Sequence, residues 1–412
     1  MLKNKGSKVL DIHPSILKGN IFVFSNHFVL LYNMSKAKSV FPNTLKIARV
    51  SLAYKSGQVD SIDNYRPISS LPIFSKIFEK LTLKRMLSFI SRQQILTPVQ
   101  FGFRNGFSTS HAVIKLVSHI VQAYHEKVYC ACFFLDLRKA FDTVNHTLLI
   151  RKLEHYGFRG QFSSYMRSYY NGRKQYVQAD GHNSSLKSIS CGVPQGSILG
   201  PLCFSLFIND MPLAVREKMV LFADDAAFII TCNTLDGLYQ KIRTLFSDLS
   251  LYLNMNKLVP NSCKSKLMMC KSRPVQELPR LSFAGEDIEW VSEFKYLGIT
   301  LTNNMSYCKH IDNVSLKVSR MPGTFTCLRT FVPRSILLKL FHALVYPHLT
   351  NHVVVWGSSP PSHLIKLTVR INNLLRTILG VAWANGRPLM HNKVLYRQLG
   401  LLNFDSIFKF NA

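Results

Sequence analysis

Met219-Val220-Leu221-Phe222-Ala223-Asp224-Asp225-Ala226-Ala227-Phe228-Ile229-Ile230 sets two adjacent carboxylates between two apolar runs. Runs of this length and composition read as strands, and the acidic pair between them reads as the turn of a tight hairpin. Neighbouring carboxylates at a crowded tip repel each other and lose hydration. A cation relieves both penalties, and Mg²⁺ in particular favours carboxylate oxygens together with phosphates. A solvated Asp-Asp turn needs no such partner, so the pair takes its meaning from the rest of the chain.

A third carboxylate ends another apolar run. Tyr129-Cys130-Ala131-Cys132-Phe133-Phe134-Leu135 reads as a strand that stops at Asp136, with Leu137-Arg138-Lys139-Ala140-Phe141-Asp142 following toward a helix start. Two-metal phosphoryl transfer needs carboxylates from separate elements, because they hold ions about 4 Å apart. One ion lowers the pKa of the attacking hydroxyl, and the other carries the triphosphate and the leaving group. Asp136, Asp224 and Asp225 are the minimum set for that chemistry.

The run Phe134-Leu135-Asp136-Leu137-Arg138-Lys139-Ala140-Phe141-Asp142-Thr143-Val144 resembles motif A of the reverse transcriptases of non-LTR (LINE-type, jockey-like) retrotransposons. Phe222-Ala223-Asp224-Asp225 resembles motif C, and Gly192-Val193-Pro194-Gln195-Gly196-Ser197-Ile198-Leu199-Gly200-Pro201 resembles motif B in the right order between them. Asn64-Tyr65-Arg66-Pro67-Ile68-Ser69 and Gln100-Phe101-Gly102-Phe103-Arg104 are similar to the fingers motifs, Lys264 to the motif D lysine, and Phe294-Lys295-Tyr296-Leu297-Gly298 to motif E. The resemblance runs from about Phe41 to the last residues. Departures at Leu52, Gln58, Ala226 and Tyr307 remove no metal ligand.

The resemblance implies an α+β right-hand polymerase. Fingers occupy 41–128, a palm of antiparallel sheet backed by helices occupies 129–310, and a helical thumb with a C-terminal connection occupies 311–412. Residues 1–40 form an N-terminal segment without a clear assignment. It also implies residue roles. Asp136, Asp224 and Asp225, with Leu137 beside them, hold metal, and Lys264 is the general acid for departing pyrophosphate. Arg66 and Lys55 clamp the incoming triphosphate, where arginine's fork of donors matches phosphate oxygens. Phe141 presses on the sugar 2′ position and so excludes ribonucleotides. Gln195 and Gly196 lie against template and nucleotide, and Arg104 and Gly298 fall to template and primer. Each has a plainer alternative: a surface lysine for Lys55 and Lys264, a core ring for Phe141.

Composition agrees with a polyanion partner. The 412 residues carry 51 lysines and arginines against 22 acids, a net charge of +29 spread along the chain without a lysine-rich tail. From Ile311 onward twelve basic residues face only Asp312 and Asp405, which reads as a thumb lying on duplex or as a solvated helical bundle. Nine cysteines show no Cys-x-x-Cys pair, the pattern of reduced intracellular thiols, and Cys130 and Cys132 read as packing residues.

Local patterns place the elements. Ile73, Phe74, Ile77, Phe78 and Leu81 follow helical spacing, with Lys76, Lys80 and Lys84 on another face. Val113, Leu116, Val117, Ile120, Val121 and Tyr124 predict a helix over 108–127 after Ser108, Thr109 and Ser110 as capping candidates. Its neighbours His111, His119 and His125 lack the partners of a metal site. Pro201 to Ile208 reads as a buried helix. The apolar segment between Ile21 and Leu31 is too short to span a membrane, and a signal peptide there lacks a convincing cleavage site.

The expected activity is RNA-directed DNA polymerisation from dNTPs onto a DNA primer 3′-hydroxyl along an RNA template. It would use two Mg²⁺ ions, with Mn²⁺ as substitute, inside the cell in nucleus and cytoplasm and without a membrane. The endonuclease domain of a full-length element is expected to be missing from this chain. Two other readings stay open: a catalytically inactive nucleic-acid-binding derivative, which the three intact aspartates oppose, and a group II intron maturase, whose motif B usually differs after Gln-Gly. An RNA virus polymerase would usually place an acid where Phe141 stands.

Overall fold

The apolar run before Asp136 forms strand β3 (Tyr129–Leu135), and it is buried on both faces. In the computed structural model, which describes residues 14–55, 57–179, 181–270, 278–381, 383–384, 387–388 and 390–411, this strand is the centre of a five-stranded sheet. Its neighbours are β7 (Lys218–Phe222) and β8 (Asp225–Cys232) on one side and β9 (Lys266–Cys270) and β12 (Glu289–Trp290) on the other, in the order β12-β9-β3-β8-β7. β8 and β9 both run antiparallel to β3.

The period-two alternation of a strand divides β3 between two cores. Ala131, Phe133 and Leu135 join the core that holds Ile242, Leu245, Phe246 and Leu249 of helix Leu235–Asn256. Cys130, Cys132 and Phe134 join the other core, with Val113, Leu116 and Ile120 of helix Thr109–His125 and with Phe325, Phe341 and Trp356 of the C-terminal helices. Ser108 starts the former helix, paired with His111 in a capping box. The C-terminal helices therefore share a continuous core with one face of the central sheet.

A second sheet begins with β1 (Ile47–Tyr54) and β2 (Tyr65–Ser70), paired antiparallel. It is completed by β4 (Lys174–Ala179), parallel to β1, and by the short β5 (His182–Asn183) and β6 (Lys187–Ser188). Residues between motifs A and B thus finish the sheet that the fingers segment starts. A small hairpin, β10 (Ser282–Phe283) with β11 (Glu286–Asp287), and the hairpin β13 (Glu293–Tyr296) with β14 (Ile299–Thr302) follow β9. Helix Ile73–Gln93 and helix Gly200–Phe207 fall where periodicity and the buried apolar run expected them. Residues 1–13 of the unassigned N-terminal segment lie outside the described residues; Pro14–Gly19 and Ile21–Ala37 are helical. No helix among the described residues is long and apolar enough to cross a membrane.

Candidate active site

The β7–β8 pairing closes with Phe222 opposite Asp225, so the two turn residues are Ala223 and Asp224. This corrects the expectation that Asp224 and Asp225 form the turn: Asp225 is the first residue of β8. Ala223 carries the turn's left-handed backbone at φ +56, a conformation that favours glycine. The tip is gripped from the side. Gln100, fully buried, accepts hydrogen bonds through Oε1 from the Gly102 N–H at 2.8 Å and the Ala223 N–H at 3.1 Å. A Cβ on Gly102 would lie 2.4 Å from the Ala223 nitrogen, so only glycine lets the two backbones meet.

Gln100 is a positioning residue that the sequence motif contained but did not explain. Gln100→Leu should orphan two N–H groups at the tip, at about 1–3 kcal/mol for each that stays buried. Urea unfolding measures the sum. A loss below about 0.5 kcal/mol would mean that other contacts hold the tip.

Leu135 pairs with Ala226, the last pair between β3 and β8, so Asp136 and Asp225 come next at the ends of adjacent strands. The strand spacing there is about 4.8 Å. Asp136 is fixed by a loop from 125 residues away: Asn261 donates from Nδ2 to Asp136 Oδ2 at 2.7 Å, and the Asn261 N–H bonds the Asp136 carbonyl at 2.8 Å. Ser265 Oγ accepts the Asp136 N–H at 3.1 Å. Asn261, three residues before the motif D lysine Lys264, thus holds the end of the motif A strand in place. Lys264 itself is exposed.

The electrostatics are those of an acidic cluster that nearby cations offset only in part. Burial, with Asp136 adding to it, raises the Asp224 carboxyl above its ordinary value, against the pull of Arg66 and Lys55. Burial, then Asp224 and Asp136, push Asp225 up to about 6. Water reaches Asp225, yet protein crowds it on its other sides. Among the described ion pairs none involves the three aspartates. Hard oxygen donors and a mutual repulsion that Arg66 and Lys55 offset only in part fit a divalent metal centre.

The sign of the resulting pH effect is fixed. Asp225 binds its proton more tightly in the fold than at the unfolded carboxyl value of about 4. Its contribution to stability is therefore full below about pH 4 and lost as pH rises through about 6. At neutral pH the ionised cluster opposes folding until a cation joins it. Millimolar Mg²⁺ should raise Tm more at pH 7.5 than at pH 5.5, and Asp225→Asn should shrink that difference. Equal shifts at both pH values in the unchanged chain would count against a metal at Asp225.

Lys55 and Arg66 stand at the end of the β1–β2 hairpin that the connecting loop closes, both exposed, where the Lys55 N–H bonds the Asn64 carbonyl at 2.9 Å. Phe141 is half-buried, stacked on Phe204 at 4.6 Å and edge-on to Phe103 at 6.4 Å. Gln195 donates from Nε2 to both carboxylate oxygens of Asp142 at 2.9 Å, and its carbonyl accepts the Ser69 N–H at 2.7 Å. Gly196 has φ +129, and a Cβ there would lie 2.3 Å from the Ser69 carbonyl oxygen. The motif B loop is thus seated on the end of β2, the strand that carries Arg66. Asp142, whose carboxyl burial raises and Gln195 partly restores, stands in motif A as a partner of Gln195 that the sequence did not single out.

Three expected residues have other surroundings. Arg104 turns inward, its Nη1 on the Thr97 carbonyl at 3.3 Å and its guanidinium 4.6 Å from the Phe107 ring centre. Gly298 lies in the β13–β14 turn, against Asn351 and His352. Leu137 is buried, so it could offer a metal only its carbonyl.

The profile described as Reverse transcriptase (RNA-dependent DNA polymerase) matches residues 54–301, which contain every element of this site. The chain belongs to the reverse transcriptase family. This reverse transcriptase domain is 29% identical over 400 residues to a probable RNA-directed DNA polymerase from transposon X-element of Drosophila melanogaster, covering 94% of this chain and 43% of that protein. It is 30% identical over 374 residues to the RNA-directed DNA polymerase from mobile element jockey of the same organism, covering 86% of this chain and 40% of that one. The chain thus spans about two fifths of the length of these relatives. Among solved structures, a telomerase from Candida albicans in complex with a telomeric RNA fragment has a TM-score of 0.46 at 11% identity, over 90% of this chain and 70% of that one.

Proposed function

We propose that this chain is an RNA-directed DNA polymerase that joins dNTPs to a DNA primer 3′-hydroxyl along an RNA template. The observation that carries the reading is that Asp136 and Asp225 follow the last paired residues of adjacent strands at a tip shared with Asp224, with Arg66 and Lys55 acting on Asp224. Asp136, Asp224 and Asp225 would hold two Mg²⁺ ions, for which Mn²⁺ can substitute. When bound, such ions activate the attacking hydroxyl and neutralise the triphosphate.

The protein's own groups do the rest. Arg66 and Lys55 bind triphosphate oxygens, Gln195 and Gly196 seat the nucleotide against the template, and Phe141 excludes a 2′-hydroxyl. Lys264 protonates the leaving pyrophosphate, a step commonly worth about 10²–10⁴ in rate. Arg104 and Gly298 act on template and primer through the loop and turn that contain them. Asn261, Gln100 and Asp142 position these groups without touching substrate. Cations of the C-terminal helices, among them Lys317, Arg320, Arg329, Arg334 and Lys339, are exposed and suit duplex phosphates. Its place of work is inside the cell, in nucleus and cytoplasm, beside the endonuclease of a longer element.

Primer extension by the purified chain tests the reading. With an RNA template and a DNA primer, product should form from dNTPs with added Mg²⁺ or Mn²⁺, and not in EDTA. Tight, salt-sensitive binding of primer–template without extension under any divalent ion would favour the inactive derivative instead.

A further inference from the structure

The central sheet carries a second cluster of ligating side chains on the face turned toward helix Thr109–His125. Cys130 and Cys132 alternate onto that face of β3, while β9 places Cys270 directly across from Cys130 and Met268 directly across from Cys132. All four residues have at most 1% of their surface exposed. The three thiol sulfurs lie within 4.8 Å of one another, and Cys132 Sγ is 3.6 Å from Cys270 Sγ. Among the described residues this is the one set of three or more His, Cys, Asp or Glu side chains drawn so close. All nine cysteines are free thiols.

Packing alone uses the volume of a cysteine, and the weak thiol hydrogen bond between Cys132 and Cys270 needs only two sulfurs, not three. A metal ion uses all three. Thiolates about 2.3 Å from a common ion sit about 3.8–4.0 Å apart, which lies between the 3.6 Å of the Cys132–Cys270 pair and the 4.8 Å that bounds the whole group. Three thiolates with a thioether beside them form a soft donor set, which selects Zn²⁺ or Cu⁺ over Mg²⁺. We propose that Cys130, Cys132 and Cys270, flanked by Met268, form a buried structural site for one thiophilic metal ion that ties β3 to β9. The site is separate from the aspartates in both ligand chemistry and position, and it does not rest on polymerase activity. Its ion enters as the sheet assembles, since the closed fold gives it no exposed approach.

The full chain is expressed with added zinc salt and, separately, with added copper salt, purified in reducing buffer, and assayed for bound metal. One of the two ions should be retained at close to one equivalent. Cys132→Ala/Cys270→Ala should lower it at least tenfold, whereas Cys191→Ala/Cys327→Ala, at exposed positions, should leave it unchanged. Should the first variant not fold, Co²⁺-loaded unchanged protein gives an independent reading, since thiolate-to-cobalt charge transfer reports sulfur ligation. Retention below about 0.1 equivalent of both ions, together with no cobalt band, would overturn the site. So would loss of two of the buried thiols to a disulfide with no metal bound.

Discussion

Replacing Asp225 by asparagine is expected to reduce primer extension by at least about 10³-fold, while primer–template affinity stays within a few-fold of the unchanged chain. Asparagine keeps the shape of the side chain at the start of β8 and removes its charge from the shared tip. The loss falls on stabilisation of the transition state, because backbone phosphates are bound elsewhere. The fold should not suffer. Asp225 is crowded by Asp224 and Asp136, so the variant relieves repulsion in the metal-free protein. Single-turnover extension and anisotropy binding separate the two effects, and residual extension within tenfold of the unchanged chain would remove Asp225 from the catalytic set.

Phe141→Val should admit ribonucleotides. A clash of roughly 3–4 kcal/mol at the 2′-hydroxyl corresponds to several hundredfold discrimination, since about 1.4 kcal/mol is tenfold. The ratio of ribonucleotide to deoxynucleotide kcat/KM is expected to rise by that order. The ring also stacks on Phe204, so the variant should be less stable, though by less than the about 3–5 kcal/mol typical of Phe→Ala. Phe141→Tyr, which keeps the bulk, should keep the discrimination. A ratio unchanged by valine in a variant that still extends with dNTPs would leave Phe141 as a core ring only.

The local elements of this fold were legible because their signals are local. Tyr129 to Leu135 is strand from first to last residue as read, and the helices at 109–125 and 200–207 follow apolar periodicity and buried runs. The hairpin was legible too, but its turn was misplaced by one residue. An acidic pair looks like turn chemistry, whereas the strand register put the left-handed backbone on Ala223.

What stayed hidden depends on partners far apart in the chain. Asn261 reaches Asp136 across 125 residues, Gln100 reaches Ala223 across 123, and Gln195 reaches Asp142 across 53. An amide that bonds a distant carboxylate or backbone N–H leaves no spacing in the sequence. Cys130 and Cys132 showed their alternation, but the convergence with Cys270 needed the β3–β9 register. Likewise, nothing in composition told that β4 would complete the sheet begun by β1.

The flanking of β3 by later strands sets a clock on synthesis. At the usual about 5–20 residues per second of translation, roughly 6 to 25 s separate the emergence of Asp136 from that of its clamp Asn261. Until β8 emerges the nascent chain offers Tyr129 to Leu135, apolar on both faces, with neither neighbouring strand yet made, and β9 is still missing when Asn261 appears. Such a segment is an aggregation hazard while it waits. A slower elongation rate lengthens that exposure, whatever the stability of the finished fold.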